Sequence, residues 1–211
     1  MRTDELIRVL AADGARPVRP IERSLIGALV AGVAISVLIF LLFLRPRPDI
    51  ATAVLSSAFL FKLAVAVLLA AAAIALLPAA ARPLSAARRA WLLAFAPVLL
   101  LAGVLVELLD KPSDSWTAYL VGHNALHCLS LIPMLSLAPA ICTLLALRNG
   151  APSRPGIAGA LAGLSAGALG AALYAVTCRD DSPLFVLAWY SIAIAIVTIG
   201  SAIAGSRLLR W

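Results

Sequence analysis

Three cysteines, two histidines and one lysine inside an apolar run are the side chains of this sequence whose types and spacing could do chemistry. Cys178 immediately follows a long apolar run, and Cys128 lies near the start of another, some 20 residues before Arg148. If both runs are membrane-spanning helices, the two thiols sit at one level near the outer face. Soft thiolates bind zinc or copper(I), and paired thiols in a compartment that permits disulfides can be oxidised. His123 and His127 are spaced i, i+4, on one helical face, and His127 adjoins Cys128. Cys128, Cys178, His123 and His127 are therefore candidate ligands for zinc, copper or another soft metal. The plainer reading of the same residues is two buried cysteines in separate helices and two interfacial histidines near Trp116 and Tyr119. Cys142 is about 20 Å further along its helix at 1.5 Å per residue, and is read as a small core residue.

The elements that must position these residues are set by composition. The 211 residues are 63% hydrophobic and 13% charged, against about 45–50% and about 25% in soluble domains. Six apolar stretches approach or exceed the roughly 20 residues that cross a bilayer, at 25–44, 53–77, 90–109, 126–147, 157–177 and 184–208. Backbone amides in lipid must be satisfied within a segment, so continuous apolar runs predict helices, and the alternation of a membrane barrel is absent. The expectation is an all-α integral membrane protein, a six-transmembrane-helix bundle. Proline and charge punctuate the runs at Arg45-Pro46-Arg47-Pro48, Arg82-Pro83, Lys111-Pro112 and Asp181-Ser182-Pro183. The stretch from Trp116 to Arg148 is too long for one span, so its first part is expected along the interface, with Pro133 and Pro139 bending the rest.

Charge gives the orientation. Placing the N-terminus inside assigns 12 of the 17 basic residues to cytoplasmic segments and four to outer loops, which is the positive-inside pattern. Both termini are expected to be cytoplasmic. The net charge of +7 is explained by topology, so no direct nucleic-acid partner is implied. Two regions result, a cytoplasmic segment 1–23 and a six-helix membrane domain 24–211. In the first, Thr3 can cap a short helix whose Leu6, Ile7 and Leu10 form an apolar stripe, with Asp4 and Glu5 at its start. A helix this short is marginal in water and needs a membrane surface or a protein groove.

Within the spans, Gly159, Gly163 and Gly167 mark a face for close helix approach. Lys62 lies in the second run, where a charge is costly; it must face the bundle, snorkel outward or pair with an outer acid such as Asp49 or Glu107. No internal repeat and no nucleotide loop is present, and an enzyme is not expected. A membrane thiol-disulfide oxidoreductase or a small transporter are the alternatives. The first would need a resolving thiol partner and the second a polar path, and the sequence offers little of either.

The opening Met1 to Ile7 followed by Leu10, Asp13 and Pro17-Val18, the stretch Gly122-His123 to His127-Cys128 leading to Ile132-Pro133, the segment from Arg148 to Pro155, and the tail from Tyr174 through Cys178 and Asp180-Asp181-Ser182-Pro183-Leu184-Phe185 to Trp189-Tyr190 together resemble the NrsF-type membrane anti-sigma factors. The likeness spans nearly the whole chain; Cys142 falls outside the pattern. The resemblance implies a multi-pass regulator of the bacterial inner membrane whose cytoplasmic segment holds an extracytoplasmic-function sigma factor. It places sensing of metal or oxidative stress on Cys128 and Cys178, and the partner-binding residues at Asp4, Glu5, Leu6, Ile7, Leu10 and Asp13.

Overall fold

The computed structural model describes residues 3, 5, 21–82 and 90–209. The described residues form helices and turns, with no strand among them. Six helices are long and apolar enough to cross a membrane: α1 (Ile21–Phe43), α3 (Ser57–Ala80), α4 (Leu92–Asp110), α6 (Ala125–Leu147), α7 (Pro155–Ala175) and α8 (Pro183–Leu208). Two short helices, α2 (Ile50–Ala53) and α5 (Trp116–Val121), lie between them. The expected all-α bundle of six spans is the observed architecture. The Trp116–Arg148 stretch divides into the short α5 and the long α6, separated at Gly122. Asp4, Leu6, Ile7, Leu10 and Asp13 lie outside the described residues; Glu5 is helical and exposed.

Local chemistry fixes the helix starts. Ser56 accepts from the Phe59 amide at the head of α3, and Ser182 does the same for Phe185 at the head of α8. Pro155 and Pro183 occupy first-turn positions of α7 and α8, where a missing N–H costs nothing.

α7 is the central helix, packed against α3, α6 and α8. Its sequence is largely Gly and Ala, so neighbouring backbones come close. A Cβ on Gly159 would overlap the carbonyl of Ser201, and one on Gly163 would overlap the Ser201 side chain, both in α8. The glycine stripe expected to mark a close approach does so. α1 packs along α6, and one proline helps fix that contact. Pro139 cannot donate to the carbonyl of Leu135, four residues earlier. The buried Ser36 hydroxyl of α1 donates to that carbonyl instead, at 2.6 Å.

The ends alternate. Glu22 at the start of α1 pairs with Arg82 after α3 at 2.8 Å, and Gly205 of α8 lies on the first turn of α7. These contacts gather the start of α1 and the end of α8 at one end of the bundle, around a core that includes Leu25, Leu77, Leu147 and Leu209. A second core, with Phe40, Val65, Cys128, Ile132, Tyr174, Cys178, Phe185 and Tyr190, occupies the opposite end.

Candidate functional site

Cys128 and Cys178 meet in that second core. Cys128 is in the first turns of α6, and Cys178 is in the turn that leaves α7, one helical turn beyond Tyr174. Both are free thiols, 0% and 1% exposed. The two thiols are close enough to perturb each other's ionisation, and the Tyr174 hydroxyl acts on both. Cys178 Sγ also faces the carbonyl of Asp180 at 3.8 Å.

Tyr190 closes the other side. It ends a π-helical stretch, Val186–Tyr190, within α8, the kind of local widening that re-aims side chains at functional sites. Its ring is tilted against Tyr174 at 6.0 Å and edge-on to Phe185 at 6.3 Å. Its buried hydroxyl faces Cys178 and has no well-aligned hydrogen-bond partner among the described residues.

Above the thiols lies the α7–α8 turn, Cys178-Arg179-Asp180-Asp181-Ser182, whose residues reach four other parts of the chain. The Cys178 carbonyl accepts from Lys62 Nζ of α3 at 2.9 Å and from Arg47 Nη1, beyond α1, at 3.4 Å. One Asp180 oxygen accepts from the amides of His123 and Asn124 at 3.1 and 2.9 Å and from the Asn124 side chain at 2.8 Å. Asp181 bridges two cations: Oδ1 faces Lys62 Nζ at 2.5 Å, off the axis of a good hydrogen bond, and Oδ2 accepts from Arg47 at 2.8 Å. Ser182 Oγ donates to Glu107 of α4 at 2.8 Å, and the Leu184 amide donates to the same carboxylate oxygen at 3.0 Å. Gly122, at φ 56°, makes room beneath the turn, because a Cβ there would overlap the Phe185 ring.

The electrostatics follow from these contacts. The Cys178 thiol is lowered below its ordinary value, first through the neighbouring Cys128 thiol, which favours its charged form; burial opposes this and the Lys62 ammonium assists. Asp49, hydrogen-bonded to Arg47, is held at about 2. Arg47 is raised in turn, chiefly by that hydrogen bond and against the effect of burial. Burial would raise Asp180, but the donors of Asn124 and His123 more than offset it and hold the carboxyl below its ordinary range.

Against the sequence reading, the structure joins the two cysteines and leaves the histidines apart. His123 is almost fully exposed, with Nδ1 3.5 Å from Asp180, and His127 is exposed on the outside of α6 although Cys128 beside it is buried. Adjacent helical residues point about 100° apart, which is why sequence adjacency brought no shared site. No group of three His, Cys, Asp or Glu side chains placed to hold a metal occurs among the described residues. Cys142 is half-buried, 14 positions along α6 from Cys128 and so about 21 Å away. Lys62 does face the bundle and pairs with an acid, but that acid is Asp181.

A family model described as negative regulator of sigma F matches residues 10–211. The chain belongs to the NrsF family. It is 33% identical over its full length, and over the full length of the relative, to the anti-sigma-F factor NrsF of Caulobacter vibrioides (strain NA1000 / CB15N). It is 30% identical, again over the whole of both chains, to a probable anti-sigma-F factor NrsF of Azospira oryzae (strain ATCC BAA-33 / DSM 13638 / PS). No solved structure matches it. In this NrsF-family chain, sequence reasoning missed Tyr174 and Tyr190 as walls of the thiol site. The first had a signal, since it stands four residues before Cys178 on the same helix face. Tyr190 had none, because the π-helical stretch that aims it leaves no mark in hydropathy.

Proposed function

We propose that this protein is a multi-pass anti-sigma factor of the bacterial inner membrane. It holds an extracytoplasmic-function sigma factor at the cytoplasmic face through residues 4 to 13 and releases it when Cys128 and Cys178 react with an oxidant or a soft metal ion. Membership of a family of negative regulators supports the sigma-factor partner. The single observation that supports the sensing half is the meeting of the only two fully buried thiols among the described residues at the end of the bundle opposite the start of α1 and the end of α8.

The chemistry is balanced in either form. Oxidation joins the two sulfurs, with two electrons and two protons passing to an external thiol oxidant; a soft divalent cation instead displaces the two protons and is held as a neutral bis-thiolate. Neutrality suits a site from which water is excluded. A disulfide contributes typically 2–4 kcal/mol, a large part of the about 5.5 kcal/mol that takes a two-state population from 1:99 to 99:1.

The test is induction of the sigma-dependent genes in single variants. Cys128→Ser and Cys178→Ser should each abolish the response to diamide and to cadmium while leaving repression intact, and Cys142→Ser should do neither. Normal induction in both of the first two variants removes the sensing role.

A further inference from the structure

Lys62 is 0% exposed and Arg47 8% exposed, and both end on the same two groups, the Cys178 carbonyl and the Asp181 carboxylate. Arg47 is held on its far side by Asp49, through Nε at 3.0 Å and Nη2 at 2.8 Å. The set of Lys62, Arg47, Asp49 and Asp181 carries two positive and two negative charges. Such a set is stable as a unit in a low-dielectric setting, and losing one member strands a charge. It also crosses between elements. Arg47 follows the end of α1 by four residues, Lys62 is in the second turn of α3, and Asp181 belongs to the Cys178 turn. Two further bonds lay the same strip of chain against that turn: the Arg47 amide donates to the Val176 carbonyl at 3.1 Å, and Thr177 Oγ1 donates to the Arg45 carbonyl at 3.2 Å.

We propose that Lys62, Asp181 and Arg47 form a strut that carries a displacement of Cys178 to α1, making these three the positioning residues of signal transmission. The inference rests on the thiol-sensing reading. When Cys178 Sγ bonds to Cys128 Sγ, the sulfurs close to about 2.0 Å, and in this proposal the closure draws the Cys178 backbone toward α6. Its carbonyl, shared by two cations, moves with it. Because the two buried cations share the Asp181 carboxylate, the shift is passed to residue 47 and so to the end of α1, the helix whose other end joins the N-terminal segment. Without the charges, the turn absorbs the shift locally.

The experiment uses membranes containing the full chain with its sigma factor bound, treated with diamide. Thiol state is read by a maleimide gel shift, and release by the fraction of sigma factor leaving the membrane pellet. Asp181→Asn should retain the sigma factor without oxidant and oxidise its thiols as the parent does, yet release at least tenfold less. Asp181→Asn strands the Lys62 charge; the double variant Lys62→Met/Asp181→Asn removes both charges together, so it is expected to insert even where the single variant does not accumulate, and to show the same uncoupling. Parent-level release from either variant, or release without oxidant from an inserted variant, overturns the strut. A parent protein that oxidises without releasing sigma factor would instead defeat the sensing reading itself, so the two failures are distinct.

Discussion

Cys178 has two faces: its sulfur meets Cys128, and its carbonyl meets Lys62 and Arg47. The position of this thiol was legible, because an apolar run of helical length ends just before it. Its ionic surroundings were not. Sequence offered Asp49 and Glu107 as partners for Lys62, but Arg47 occupies Asp49 and the head of α8 occupies Glu107, leaving Asp181 to answer the lysine. Which acid serves which cation depends on helix neighbours, and no spacing within one run encodes that. A consequence can be measured at this scale. With its thiol lowered below the ordinary value, Cys178 should react with a small membrane-permeant alkylating reagent at a rate that rises with pH through a midpoint below the ordinary thiol range near 8.5. The sign follows from the depressed value: the thiolate persists above that midpoint and is lost by protonation below it. Cys128→Ala removes the donor to that thiolate and should move the midpoint up toward the ordinary thiol range near 8.5. An unchanged midpoint would show that Cys128 does not support the Cys178 charge.

Helices were the most legible level. Span positions followed from length and hydropathy, because lipid leaves the backbone few alternatives, and the glycine stripe of α7 gave its close contact with α8. The π-helical stretch in α8 and the Ser36 bond to Leu135 were not legible, since each answers a packing partner on another helix. Expectation at this level concerns α7. Gly159→Ala puts a methyl group into the Ser201 carbonyl, whereas Gly200 has open space within 4 Å. Overpacking of this kind costs about 1–3 kcal/mol. Gly159→Ala should therefore lower the temperature at which detergent-solubilised protein aggregates by several degrees, and Gly200→Ala should leave it unchanged. Equal behaviour of the two would remove the close approach as a determinant of stability.

On the scale of the whole molecule, the contacts fix which helix ends lie together, and the basic residues propose which side each end faces. Reporter fusions after Gly14, Ala86, Gly150 and Trp211 should be cytoplasmic, and those after Arg47, Ser113 and Ser182 exported. An exported C-terminal fusion would break this arrangement. Deleting residues 2–16 should leave the six spans inserted and abolish sigma-factor retention, because the proposed partner-binding residues precede α1. Undiminished retention would move the binding surface to the cytoplasmic turns. The extreme N-terminal segment was legible only as an amphipathic pattern with family likeness.

The near-total burial of the thiol pair has a temporal side. A barrier that keeps large reagents from the reduced sulfurs also keeps large reductants from the oxidised ones, so a disulfide formed there would outlast the stimulus that made it. Under the proposed function, such a protein records exposure instead of tracking it. Recovery would then depend less on chemistry at the old molecules than on replacing them with newly synthesised, reduced ones.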